Sequence, residues 1–168
     1  MKYEKFEDVP VWKDGVNLTV EVFKLTEDKR FRFKGDIANQ IQRAALSVPN
    51  NIAEGFERGT TQELITFLYY ARGSAGEVRS ILSVVERMPV FDDLKSQISD
   101  LKLKAESVSR QIRGWTNSLQ NTGIEGQRYL NEKSKKIYER EKDKEDFLKT
   151  LRQYANSKNV RKNSMETP

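Results

Sequence analysis

Cysteine and histidine are both absent from the 168 residues. Without cysteine there is no disulfide framework and no thiol nucleophile. Without histidine the usual general base near neutral pH and the commonest metal ligand are missing. Neither a Gly-x-Ser-x-Gly nucleophile turn nor a phosphate-cradling glycine loop stands in the chain. Carboxylate-only metal sites remain open, with Glu54, Glu57, Glu63 and Glu77 as candidates. Helix capping or salt bridging accounts for them more simply, and no pair of Glu motifs has the form of a di-metal bundle site. The residues therefore predict a protein that is not an enzyme and that holds no metal and no cofactor. No apolar run is long enough to cross a membrane. The start, Met1 to Asp8, is charged and mixed, unlike a secretory signal. The lack of disulfides fits a reducing cytoplasm, which is the expected location.

Abundant charge and a moderate apolar content are what the chain does have, at 33% and 36%. That balance suits amphipathic helices with solvated outer faces. The segment from Phe6 to Pro10 reads as a helix start, with acidic residues early and proline in the first turn. The helix should run to about Thr26. It carries two apolar stripes, Trp12–Val16–Thr19–Phe23 and Val11–Leu18–Val22–Leu25. Such a wide face suggests deep burial or a second partner surface. Asp36 is the expected N-cap of the next helix. Ile37, Ile41, Ala45, Val48 and Ile52 hold helical spacing straight through Pro49, so one bent, continuous helix is expected there. Gly55 and Gly59 then loosen the chain.

Thr60 and Glu63 have capping-box spacing, which predicts a new helix start. Leu64, Leu68, Ala71, Ala75, Val78, Leu82 and Val85 alternate steps of four and three, as a helix–helix seam requires. Gly73 and Gly76 lie in its middle and suggest that another helix approaches closely. Met88-Pro89 should stop this helix, and Asp92-Asp93 should cap a fourth. Leu94, Ile98, Leu101, Ala105, Val108, Ile112, Trp115 and Leu119 repeat the same alternation. The fold class predicted is all-α, an antiparallel up-down-up-down four-helix bundle with short connections.

Composition changes after the Asn121 to Gly126 segment. Residues 1–125 hold eighteen basic and eighteen acidic side chains, whereas residues 126–168 hold twelve and seven. The net charge of +5 thus sits in the tail. The expected organisation is a bundle over 1–125 and a basic, partly helical extension over 126–168 with a disordered end. Leu130, Ile137, Leu148 and Leu151 fit a sparse heptad there, and Phe147, Leu151 and Tyr154 share a face.

Two basic segments bear on nucleic acid. Lys29, Arg30 and Arg32 alternate with Phe31 and Phe33, a pattern that can grip phosphates and stack bases. The competing reading tucks both phenylalanines into the bundle end and leaves the charges in water, and burial of aromatic area favours it. In the tail, Lys133, Lys135, Lys136 and Arg140, followed by Lys142 and Lys144, can neutralise phosphates. Intervening acids weaken that field, and a solvated helix or a helical arm on a protein partner accounts for the same pattern.

The blocks Phe6-Glu7-Asp8 through Trp12-Lys13, Gln40 to Ala45, Ser47-Val48-Pro49-Asn50-Asn51-Ile52-Ala53-Glu54-Gly55, Phe56 to Gly59, and Phe67-Leu68 with Ala71-Arg72-Gly73-Ser74-Ala75-Gly76-Glu77 carry a resemblance. They are similar to the bacterial 23S rRNA intervening-sequence proteins, over about residues 6–120. That resemblance implies an antiparallel four-helix bundle assembled as a homopentamer. A related branch serves as the accessory subunit of reverse transcriptases in diversity-generating retroelements, a basic barrel that binds the enzyme and nucleic acid. The expected function is a non-enzymatic, homo-oligomeric bundle that binds RNA or other nucleic acid through phosphate contacts. The alternative is a scaffold partnering a reverse transcriptase. Arg43, Arg58 and Arg72 are the bundle candidates for phosphate. Each has a structural reading too, as a bridge to Glu54, Glu57 or Glu77, and for Arg43 and Arg72 that reading is the stronger.

Overall fold

The computed structural model describes residues 3–33 and 36–121, and beyond them 136, 140, 143, 144 and 146–150. Contacts divide the chain into two units, Met1–Arg128 and Tyr129–Pro168. The first holds four long helices: α1 (Pro10–Thr26), α2 (Ile37–Glu57), α3 (Thr61–Val85) and α4 (Lys95–Gln120). Short 3-10 turns occupy Phe6–Asp8, Lys29–Phe33 and Pro89–Leu94. Each helix packs on two others: α1 and α3 both contact α2 and α4.

One continuous core runs between the helices. Leu18, Ile41, Val48, Ile52, Leu64, Leu68, Leu82, Ile98 and Ile112 are fully buried in it. Each such side chain stabilises the fold by about 1.5–3 kcal/mol. The alternation of four and three along α3 and α4 puts their apolar residues on one stripe, and that stripe is the core. On α1 the two stripes diverge. Val11, Leu18, Val22 and Leu25 are buried, while Phe23 is 39% exposed and Val20, which neither stripe includes, is 47% exposed.

Pro49 lies inside α2, which continues through it to Glu57. Across from it, Gly15 of α1 sits against Val48 and Pro49, so a side chain there would crowd the proline ring. The Thr19 hydroxyl lies 2.8 Å from the carbonyls of both Gly15 and Ala45, tying α1 to α2. At the start of α3 the Thr60 hydroxyl accepts from the Glu63 backbone N–H at 3.2 Å and donates to the Glu63 carboxylate at 2.7 Å. Gly59, at φ +81°, makes the turn between α2 and α3, a conformation in which glycine carries no steric cost.

Four expectations need correction. Gly55 does not loosen the chain: it is buried within α2, and a Cβ there would lie 2.6 Å from the Phe67 Cβ. Gly73 and Gly76 do not mark close helix packing, since nothing lies within 4 Å of a Cβ at either. Asp36 does stand at the N-cap of α2, but its side chain makes no capping hydrogen bond; its carboxylate accepts from the Asn39 amide at 2.8 Å. Asp92 and Asp93 do not cap α4 either. They sit in the preceding 3-10 turn and pair with Lys95 and Arg30. Leu130, Ile137, Leu151, Tyr154, Lys133 and Lys135 lie outside the described residues, as does the Phe33 side chain.

Candidate functional site

The arginines and lysines singled out from the sequence do not meet on one surface. Lys29 and Arg32 are exposed on the 3-10 turn after α1. Arg30, between them, is held. Its Nε and Nη2 donate to the two Asp28 carboxylate oxygens at 2.8 and 2.7 Å, and its Nη1 donates to the Val90 carbonyl at 2.8 Å. Asp93 accepts from both terminal nitrogens. The guanidinium lies 5.5 Å from the Phe91 ring centre, and Phe91 stacks on Phe31 at 4.7 Å. Hydrogen bonds from Arg30 hold the Asp28 carboxyl down at about 2 and lower that of Asp93. The cluster clips the α1–α2 connection to the α3–α4 connection. Phe31 is buried, as the structural reading of this segment expected.

Arg43 projects into solvent from α2, with Asp36 at 3.6 Å. It lines a shallow groove with Phe23, Asn39, Gln42 and Leu46. Arg58 follows the last turn of α2. Its Nη2 donates to Glu54 at 2.6 Å, which raises the guanidinium pKa, and its charge lies 5.1 Å from the Phe67 ring centre. Lys136 and Arg140 are helical and exposed in the second unit.

Arg72 stands apart from these. It makes no ion pair among the described residues and it borders α4. The register of that border follows from two contacts. Tyr69 near the start of α3 accepts a hydrogen bond from the Gln120 amide at 3.1 Å. Glu86, just past the end of α3, pairs with Lys102 near the start of α4 at 2.6 Å. On α3 the edge between these contacts is formed by Tyr69, Arg72, Gly76, Arg79 and Ser83, which recur every three or four residues. On α4 the stripe through Lys102, Glu106, Ser109, Arg113 and Gln120 faces them. Arg113 thus falls opposite Gly76, between Arg72 and Arg79. None of these three arginines has an ion pair among the described residues.

Arg72 to Arg79 spans two turns, about 10 Å along the helix. The acids on this border, Glu86 and Glu106, are already taken, by Lys102 and by Arg110 at 2.9 Å. Glu77 lies on the exposed ridge of α3, away from α4. The result is a short cationic strip with an open floor at Gly76. A guanidinium presents a planar fork of donors that suits phosphate oxygens. Arg79 and Arg113 escaped the reading of the sequence. Their seven-residue and cross-helix relations to Arg72 become visible only once the α3–α4 register is known. Among the described residues no group of three or more carboxylates comes together to hold a metal ion.

Arg72, Arg79 and Arg113 all lie within the stretch, residues 7–114, matched by the family model described as 23S rRNA-intervening sequence protein. The chain belongs to that family. No curated protein matches it significantly. The match to the 23S rRNA-intervening sequence protein family covers α1 to α3 and most of α4, and it includes Arg43, Arg58, Arg72, Arg79 and Arg113. It stops before the second unit, so Lys136 and Arg140 lie outside the matched stretch. Among the described residues no helix is long and apolar enough to cross a membrane.

Proposed function

We propose that this protein is a non-enzymatic, homo-oligomeric bundle that binds RNA through its phosphates. The observation that carries the reading is the strip of Arg72, Arg79 and Arg113, three arginines on one helix border without acidic partners among the described residues. Arginines bound to carboxylates, as Arg30 and Arg58 are, have less to offer a phosphate. The helices are read as an antiparallel up-down-up-down bundle, supported by the cross-contacts Thr19–Ala45, Ser47–Ser74, Tyr69–Gln120 and Glu21–Lys104. Self-association, with a pentamer as the family expectation, is supported by exposed Val20, Phe23 and Leu46 on α1 and α2. A ring would repeat the cationic strip and multiply a weak contact into a firm one.

The test is RNA binding by the full chain as a function of salt, with Arg72, Arg79 and Arg113 replaced singly and together by glutamine. Each arginine that meets a phosphate should carry about 0.7–0.9 of the slope of log affinity against log salt. The triple variant should lose most of the slope while keeping its helical signal. An unchanged slope would remove the strip from the site. No binding at low salt by the unaltered protein would overturn the reading and turn attention to a protein partner such as a reverse transcriptase.

A further inference from the structure

We infer that the α3–α4 strip takes single-stranded RNA and that Tyr69 stacks a base at its end. The inference rests on the phosphate-binding reading above. Tyr69 is 46% exposed. A half-exposed tyrosine is ordinary by itself; its place is what matters. It begins the same helix edge that carries Arg72, Gly76 and Arg79. Its hydroxyl is fixed by the Gln120 amide at 3.1 Å, so the ring is anchored at its polar tip. Among the described residues it has no ring partner, unlike its neighbour Tyr70, which meets Phe67 edge-on at 5.6 Å. A half-exposed aromatic residue, tied at its hydroxyl, therefore stands on the same helix edge as Arg72 and Arg79.

The geometry separates single strands from duplexes. A duplex keeps its bases stacked on one another and offers an aromatic ring no partner. A single strand can lay its backbone along cations and turn its bases onto a ring, and that combination binds without needing a specific sequence. The strip is also short, about two helical turns, and sits in a shallow border between helices. Among the described residues no segment projects from that border to enter a helical groove. At Gly76 nothing lies within 4 Å of a Cβ position, so no neighbouring element crowds the floor between Arg72, Arg113 and Arg79.

The experiment compares two probes on the full chain at low salt: a short unstructured polyuridine RNA and a fully paired RNA duplex of the same length. The single strand should bind about tenfold tighter or better. Tyr69→Ala should weaken it by about five- to 150-fold, the range for losing one base–aromatic stack, and should leave duplex binding unchanged. Tyr69→Phe keeps the ring, loses the Gln120 hydrogen bond, and should restore most of the affinity. Equal affinity for both probes, reduced alike by the arginine variants, would overturn the single-strand inference and leave phosphate binding standing. Unchanged single-strand binding by Tyr69→Ala, in a variant with an unaltered melting temperature, would overturn the stacking role. Failure to bind either probe would sink both readings.

Discussion

Helix α3 has two edges, and they differ in kind. Toward α2 the contact is closed. Gly55 is pressed against Phe67, the Ser74 hydroxyl meets that of Ser47 at 3.1 Å, and Arg58 covers the Phe67 ring. Toward α4 the outer border is open, floored by Gly76 and lined with arginines that have no ion pair among the described residues. Both edges contain glycine in a helix, yet only Gly55 is there because two elements need to approach. A glycine in a helical pattern therefore has two opposite structural meanings. The phase of the helix decides between them.

The sharpest way to break the comparison is at Gly55. Gly55→Ala places a methyl 2.6 Å from the Phe67 Cβ, an atom at the root of its side chain that cannot swing aside. The variant should lose about 1–3 kcal/mol by overpacking. Chemical denaturation would measure it, and a variant as stable as the parent would mean that α2 and α3 separate easily. Thr60→Ala comes next. It removes the hydroxyl that caps α3 at the closed edge, and the expected loss is about 1 kcal/mol. At the open edge the sign reverses: Gly76→Ala should stabilise by about 0.5–1 kcal/mol, since it meets no neighbour and restricts the unfolded chain. A loss of stability there would show that the border is occupied, by another part of the chain or another copy.

The smallest effect concerns acid. Arg30 lowers the Asp28 carboxyl from 3.8 to about 2. A carboxyl depressed in the folded state contributes above its unfolded value, and the contribution disappears as pH falls through the folded one. The melting temperature of the parent should therefore converge on that of Arg30→Met between about pH 4 and pH 2. A constant difference across that window would mean that the clip acts through the Phe31–Phe91 stack rather than through charge.

The long helices were legible because their apolar spacing is regular and long. Pro49 was legible as an interior residue because Val48 and Ile52 keep phase across it. Thr60 was legible because the cap and its glutamate sit at a fixed local spacing. Gly73 and Gly76 were misread, although the information was present: Ala71, Ala75 and Val78 define the buried side, and Gly73 points away from it. Asp36, Asp92 and Asp93 have the right chemistry for caps, but nearer partners claim them. The candidate site was the least legible part. Arg72 was visible as a motif residue, but Arg79 and Arg113 acquire meaning only from the alignment of two helices, and no local spacing encodes that alignment.

The clip at the end of the bundle has a consequence for assembly. Helical hairpins joined by short connections can be traded between copies, giving dimers in which each bundle borrows a piece of the other. Here Arg30 and Asp93, sixty-three positions apart, fasten the connection before α2 to the connection after α3. Trading α4, or α1, for that of a neighbour requires opening this fastening and unstacking Phe31 from Phe91 first. The clip therefore acts as a latch against hairpin exchange: it fastens the helices of one chain to one another.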